Sequence, residues 1–537
     1  MGANLARESQ SDCKSGGLLL TAAALAAMAC AIVLARLHTY HEPLERDITT
    51  YAVAAHEMLN GRQLYAQVWE NKPPAVHLTY ALAELTAGYG YGEVYLLGVA
   101  AALAGLVGVY AAGRRLGGAG AGLWAAAVWM VISGDMILQA NQPNTEAFIN
   151  VCMVWALVAL LVRGPAAVLG YKRAALIGLL LGVASLYKQV IVPAAVLLAG
   201  VHLLVPAQGS RESWRRRAGQ VAVMAGVGIV LWAAVLAVFG AGARFPSFYE
   251  AMVTANRERA GSLAANLAAA FTPRRLALPA AGAGLLIAAG LVWRRGLLAR
   301  TWALLGAWWL GTFVAVALPG MFYPHYFQLW LPLLAAATGL FVTGLGRLAI
   351  ARPQRVSILA GTVLLATLLA AELPTYFLSP QQWSIRKYKH DLFVQSQQAA
   401  RQLTGLLAPQ DGLYDWGAES GLYFDTGRRP PSGIFFSLPL ESPSIAAAAE
   451  HRLLVDLQAH PPELVILRRD HLDYYLSGAI SVTRWLVERY DPLALPGFPP
   501  KFCVFARRGG PLQERMVAVP KPSPPNSPIA FQGRSAG

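Results

Sequence analysis

Apolar runs long enough to cross a bilayer recur along the chain as far as about residue 373, and no other feature restricts its possible folds so sharply. The first, residues 17–35, follows Arg7 and Lys14 and holds no charged residue before Arg36. A hydrocarbon layer of about 30 Å is crossed by about 20 helical residues. Further runs cover approximately 92–112, 119–136, 146–162, 174–187, 190–206, 218–240, 277–293, 301–319, 327–345 and 356–373, which predicts a polytopic α-helical membrane protein with about eleven transmembrane helices. Charged residues make up only 14% of the chain, against about 25% in soluble proteins. A purely soluble globule, a disordered chain and a disulfide scaffold are excluded, and the four cysteines form no CxxC or paired framework. Small residues crowd the end of the first run, as in a cleaved signal peptide, but its length favours a retained anchor. In either case the chain emerges from this run on the outer side.

The net charge of +15 would suggest nucleic acid in a soluble protein. Here the basic residues fall between apolar runs: Arg114 and Arg115; Arg163, Lys172 and Arg173; Arg215, Arg216 and Arg217; Arg294 and Arg295; Arg347, Arg352 and Arg355. All sort to the side of the N-terminus, as cytoplasmic loops do, so the partner expected is the bilayer of the inner (cytoplasmic) membrane and not nucleic acid. Basic loops flank residues 174–205 at both ends, which requires two short crossings meeting near Lys188 and Pro193. A cation at that depth implies a polar cavity, opening outward. The expected order is a cytoplasmic tail at 1–16 and a membrane domain at 17–373 with outer loops 36–91 and 241–275. An extracytoplasmic α/β domain comes next at 374–510, then a Pro- and Ser-rich disordered tail at 511–537. Candidate strands of the outer domain are 413–416, 464–467 and 502–505, with helices near 384–406, 443–458 and 479–489.

Chemistry concentrates in the first outer loop. Tyr51, Ala54, Ala55, Met58 and Leu59 recur at helical spacing before the Asn60-Gly61 stop, with Asp47 just ahead. Such an amphipathic helix would lie on the membrane face and hold Asp47 near the bilayer surface, unless Asp47 merely caps it. Then comes Asn71-Lys72-Pro73-Pro74, where two prolines stiffen the turn that presents Lys72. An ammonium held there suits a phosphate; a lysine snorkelling to the headgroups is the alternative.

These residues, with Leu64-Tyr65, resemble the first-loop signature of the GT-C membrane glycosyltransferases, specifically bacterial protein O-mannosyltransferase and lipid A aminoarabinose transferase relatives of the family 39/83 type. Asn144-Thr145-Glu146, the run from Gly178 to Lys188 with Gln189, Tyr323-Pro324-His325-Tyr326-Phe327, Trp416-Gly417 and Pro461-Pro462-Glu463-Leu464-Val465-Ile466 are also similar. The resemblance implies transfer of a hexosyl or pentosyl group from a polyprenyl-phosphate donor to an acceptor glycan, lipid or protein, at a site facing outside the cytoplasm. The residue types agree: Asp47 supplies a catalytic base and Lys72 and Lys188 the cations for the donor phosphate, with Arg257 and Arg259 as further phosphate candidates. Glu146, Tyr51, Tyr323 and His325 would position donor or acceptor. Arg257 and Arg259 read equally as solvated rim charge, and Glu146 as a helix cap. Many relatives carry Asp-Glu where this chain has Asp47-Ile48, so the second carboxylate is missing unless Glu45 substitutes. No cofactor is established; ligand spacing does not support a divalent metal, although His325, His77 and Glu70 could converge. Two other functions compete. A transporter or flippase for a lipid-linked sugar would carry repeats in matched halves, and none is visible. A scaffold or receptor leaves Lys188 and the stiff Lys72 turn without a purpose.

Overall fold

The computed structural model describes residues 2–161, 168–207, 212–293, 299–349, 352–417, 419–472 and 478–518. Arg163, Arg294, Arg295 and the tail from 519 lie outside the described residues. In the membrane part the helices are α1 (Gly2–His38), α2 (Arg46–Leu59), α3 (Ala75–Ala87), α4 (Tyr91–Gly117), α5 (Ala119–Ile132), α6 (Thr145–Leu160), α7 (Tyr171–Tyr187) and α8 (Val192–Leu204). They continue with α9 (Trp214–Phe239), α10 (Phe245–Tyr249), α11 (Ala255–Ala260), α12 (Leu263–Ala270), α13 (Pro273–Val292), α14 (Ala299–Ala317), α15 (Leu331–Leu348) and α16 (Pro353–Glu372). Each of the eleven apolar runs coincides with one of these helices. Among the described residues six segments are long and apolar enough to cross a membrane: Gly17–His38, Tyr91–Gly117, Trp214–Phe239, Pro273–Val292, Pro324–Leu348 and Pro353–Phe377. Ala119–Ile132, Thr145–Leu160 and Gln189–Leu204 are apolar but shorter.

Burial sorts these helices. Pro324–Leu348 is 78% buried, whereas Gly17–His38 and Pro353–Phe377 are 6% buried, so α15 is central and α1 and α16 face outward. Lipid offers no hydrophobic drive for helices to associate, and close packing through small residues replaces it. A Cβ at Gly113 of α4 would sit 2.7 Å from the Ala121 carbonyl of α5, too close to tolerate. Between α7 and α8 the chain breaks: Lys188 is extended (φ −161, ψ 118), a single 3-10 turn covers Gln189–Ile191, and Pro193 occupies the first turn of α8.

The outer domain comprises α17 (Pro380–Tyr388), α18 (Leu392–Leu406), β1 (Leu413–Trp416), α19 (Gly421–Thr426), α20 (Leu438–Glu441), α21 (Ala446–Ala459), β2 (Leu464–Arg468), α22 (Ile480–Arg489), β3 (Tyr490–Leu493), β4 (Phe502–Arg507) and α23 (Pro511–Ala518). The sheet order is β1-β2-β4-β3, with β1 parallel to β2 and the other pairs antiparallel. Ion pairs, one of them fully buried, fasten this domain to the first loop. Lys387 Nζ donates to Glu42 Oε1 and Asn141 Oδ1, both at 2.8 Å, and Arg429 grips Glu57 through two 2.8 Å bonds.

Several expectations change. The segment expected as a tail at 1–16 is helical backbone continuous with α1 from Gly2. The helix expected over 384–406 is two, separated around Lys389, which takes a left-handed φ of 65. Strand β3 escaped notice because Asp491-Pro492 interrupts its apolar pattern; it forms the sheet edge, where proline is tolerated. The tail expected from 511 begins as helix α23, because Leu512 is buried and Arg515 pairs with Asp411. Helix α2 does not lie on lipid: Ile48 to Ala55 are buried, and Thr49 and Thr50 each hydrogen-bond Ser420 Oγ of the outer domain at 2.8 Å.

Candidate active site

The first turn of α2 carries Asp47. Glu45, not Asp47, occupies the cap position and makes no side-chain cap bond, so the capping role considered for Asp47 is absent. The Lys72 turn is fixed by its own backbone. Glu70 Oε1 accepts the N–H groups of Asn71 and Lys72 at 2.7 and 3.1 Å, Tyr65 OH donates to Lys72 O at 2.9 Å, and Asn256 donates to Asn71 O at 2.8 Å. The ammonium of Lys72 donates to Asn71 Oδ1 at 3.2 Å and lies 5.9 Å from the centre of the Tyr51 ring.

Lys188, at the α7–α8 break, donates to Glu146 Oε1 at 2.7 Å and sits 3.5 Å from the centre of the Tyr326 ring. Asn144 caps α6, accepting the Thr145 N–H at 2.7 Å, so Glu146 is left to pair with Lys188. His325 Nε2 lies 3.8 Å from Asp47 Oδ2, and its Nδ1 meets Gln139 Oε1 at 3.2 Å. Tyr323 stacks on His325 with centres 5.6 Å apart, and its hydroxyl meets Arg259 Nη2 at 3.4 Å. Tyr51 OH donates to Asn144 Oδ1 at 3.3 Å, and Asn144 Nδ2 donates to Glu45 Oε1 at 3.0 Å.

Two adjoining cavities meet at Asp47, Asn71, Lys72, Arg259, Met321 and Tyr323. The inner, about 260 Å³, adds Lys188, Gln189, Asn256 and Tyr326. The outer, about 380 Å³, adds Arg46, Thr50, Glu70, Glu258 and residues of the 436–443 segment. Of the sequence candidates, Asp47, Lys72, Lys188, Arg259 and Tyr323 line this space. Tyr51, Glu146 and His325 are buried behind it, and Arg257 is exposed and lines neither cavity. Sequence reasoning missed Arg46, Asn71, Gln189, Asn256 and the 436–443 segment. The last had a signal, since Pro439 and Pro443 stiffen the chain around Glu441 as Pro73 and Pro74 do beside Lys72.

Electrostatics separate the acids. Burial disfavours charge on Asp47, whose side chain is 35% exposed. The positive field of Lys72, His325, Arg259 and Lys188 outweighs that penalty and holds the carboxyl at about 2. Asp47 is therefore ionised. Glu45 goes the other way: burial and then the Asp47 charge push it up to about 8, so it keeps its proton and does not replace the missing second carboxylate. Burial likewise raises Glu70 despite Lys72. The three residues weighed as metal ligands do not converge: Glu70 turns to backbone N–H groups, His325 to Asp47, and His77 packs edge-on against Tyr51. Among the described residues no group of three His, Cys, Asp or Glu side chains is placed to hold a metal.

This architecture is shared with solved structures. ArnT from Cupriavidus metallidurans, solved bound to undecaprenyl phosphate, matches over 92% of this chain and 98% of its own, with TM-score 0.56 and 18% identity. The chain shares the fold of ArnT. ArnT in its apo state gives the same TM-score at 17% identity. The oligosaccharyltransferase of Archaeoglobus fulgidus, in complex with Zn and sulfate, matches over 90% of this chain and 73% of its own, with TM-score 0.50 and 13% identity. No family model matches the chain, and no curated protein does. Since ArnT is covered almost end to end, the likeness in fold takes in the outer domain as well as the membrane helices.

Proposed function

We propose that the protein transfers a sugar from a polyprenyl-phosphate-linked donor to an acceptor on the outer face of the membrane. One observation carries the reading: an ionised carboxylate, Asp47, stands where two cavities join, beside Lys72 and Arg259, which line both. In this reading the donor phosphate occupies the inner cavity. The bond between the anomeric carbon and the phosphate oxygen breaks, and the charge that grows on that oxygen is stabilised by Lys72, Arg259 and Lys188. An acceptor hydroxyl attacks the anomeric carbon from the outer cavity and gives its proton to Asp47. The bound phosphate also offsets the cationic field that depresses Asp47, making it a stronger base when donor is present.

The carrier chain has a place as well. An apolar groove of about 800 Å³ runs between α7, α8 and α9, lined by Leu181, Ala195, Met224 and Trp232. Ser185 and Val192 on its wall bracket the Gln189 and Val190 that line the inner cavity, so one break in the chain serves both. The undecaprenyl phosphate bound to ArnT supports a polyprenyl carrier. In this reading the eleven crossings expected from the sequence leave the site and the outer domain outside the cytoplasm. No observation favours the transporter.

The test is Lys72→Met. A hydrogen bond to a charged group contributes about 1.5–3 kcal/mol, so undecaprenyl phosphate titrated alone should bind the variant roughly ten- to a hundredfold more weakly. Equal affinity for both proteins would make Lys72 a headgroup anchor and remove the phosphate from the inner cavity.

A further inference from the structure

Residues 436–443 of the outer domain close one side of the outer cavity with Phe436, Ser437, Glu441 and Ser442 among its lining. Their mounting is stiff. A Cβ at Gly433 would collide with the Gln67 carbonyl, the Trp69 N–H donates to Gly433 O at 3.1 Å, and the Trp69 and Phe436 rings meet at 5.6 Å. Ser437 Oγ donates to Glu441 Oε1 at 2.6 Å, which fixes that carboxylate. The Ser444 N–H donates to Glu258 Oε1 at 3.3 Å, tying a second cavity carboxylate to the same segment.

Charge distinguishes the two cavities. In the inner one Lys72, Lys188 and Arg259 face Asp47, the one carboxylate on its lining, with Glu146 paired to Lys188 from behind, so cations still outnumber acids. In the outer one Arg46, Lys72 and Arg259 are met by Asp47, Glu70, Glu258 and Glu441. A phosphate gains from the first field and gains little from the second, where Glu258 and Glu441 would oppose it. Carboxylate oxygens accept hydrogen bonds and give none, so they suit hydroxyl groups. A volume of about 380 Å³ falls in the usual range for small-ligand sites of about 300–1,000 Å³.

The geometry points to the outer cavity as the site of an uncharged, polyhydroxylated acceptor, a glycan end whose hydroxyls donate to Glu441 and Glu258 while the reacting hydroxyl meets Asp47. This inference rests on the donor assignment above. Glu441 and Glu258 are then specificity residues that select hydroxyl acceptors over phosphorylated ones, and a hydroxyl acceptor is the kind that needs a base.

Binding measured apart from turnover tests it. Full-length protein in lipid nanodiscs is titrated with methyl α-maltoside and with its 6′-phosphate by saturation-transfer difference NMR. Undecaprenyl phosphate is titrated separately by tryptophan fluorescence. The neutral glycoside should bind more tightly than its phosphate. Glu441→Ala should weaken the neutral glycoside about tenfold, the loss of one charge-assisted bond, with undecaprenyl phosphate affinity unchanged. Tighter binding of the phosphorylated probe, an unaffected Glu441→Ala variant, or no binding of either glycoside overturns the acceptor assignment. Undecaprenyl phosphate failing to bind wild type, while the neutral glycoside binds through Glu441, would overturn the donor reading and spare the cavity's sugar preference.

Discussion

His77 sits fully buried on α3 with no hydrogen-bond partner for either ring nitrogen among the described residues, edge-on to Tyr51. Burial, reinforced by Lys72, pushes its pKa down to about 3. The unfolded chain therefore takes up a proton below about pH 6.5 that the folded chain refuses, so stability is complete above that pH and falls as pH drops toward 3. Between pH 7 and 5 the loss attributable to His77 is about 2 kcal/mol. The thermal inactivation temperature of His77→Phe should therefore fall less steeply over that interval than that of wild type; parallel curves would show that His77 is not held neutral. The sequence marks Asp47 and Lys72 because local devices betray them, a helix start for one and a proline pair for the other. It does not reveal that Glu45 keeps its proton, since that depends first on burial in the folded chain, which no local pattern records.

The α7–α8 break is the element that places a cation deep in the protein, and its charge is balanced from α6 by Glu146, forty-two residues away in sequence. Both side chains are buried. Removing one partner of a buried pair strands the other, at a cost of about 3–5 kcal/mol, whereas removing both is close to neutral. Lys188→Met should accordingly destabilise the protein strongly in detergent melting, and Lys188→Met with Glu146→Gln should recover most of the loss; equal damage in both would mean the pair does not act as a unit. Parity of basic loops was enough to foresee this break, because charge placement follows topology. Helix α2 was foreseen as a helix but not in its surroundings. An amphipathic period states that one face is buried and not whether lipid or protein buries it, and here Ser420 and its neighbours in the outer domain do so. Edge strand β3 was hidden for the opposite reason, its pattern broken by a proline that only an edge accommodates.

Across the whole molecule, membrane helices and outer domain are joined by buried pairs such as Lys387–Glu42, so the 436–443 segment is held over Asp47 as part of one unit. Hydropathy and charge made the membrane part legible, since bilayer thickness imposes a length on each span. Of the outer domain's contribution to the cavity only the proline pair around Glu441 was legible, because no local pattern records that this loop closes over a site nearly four hundred residues away. Topology is open to test. Ser481, exposed at the start of α22, replaced by cysteine in a background without the four native cysteines, should react with an impermeant thiol reagent on intact cells; labelling only after lysis would break the eleven-crossing account. The central claim is that Asp47 accepts the proton of an acceptor hydroxyl, and Asp47→Asn isolates it, keeping size and most hydrogen bonding while removing the base. With purified protein and a radiolabelled polyprenyl-phosphate sugar, transfer should fall by about 10² to 10⁴ with little change in donor binding. Full transfer by Asp47→Asn would contradict the account.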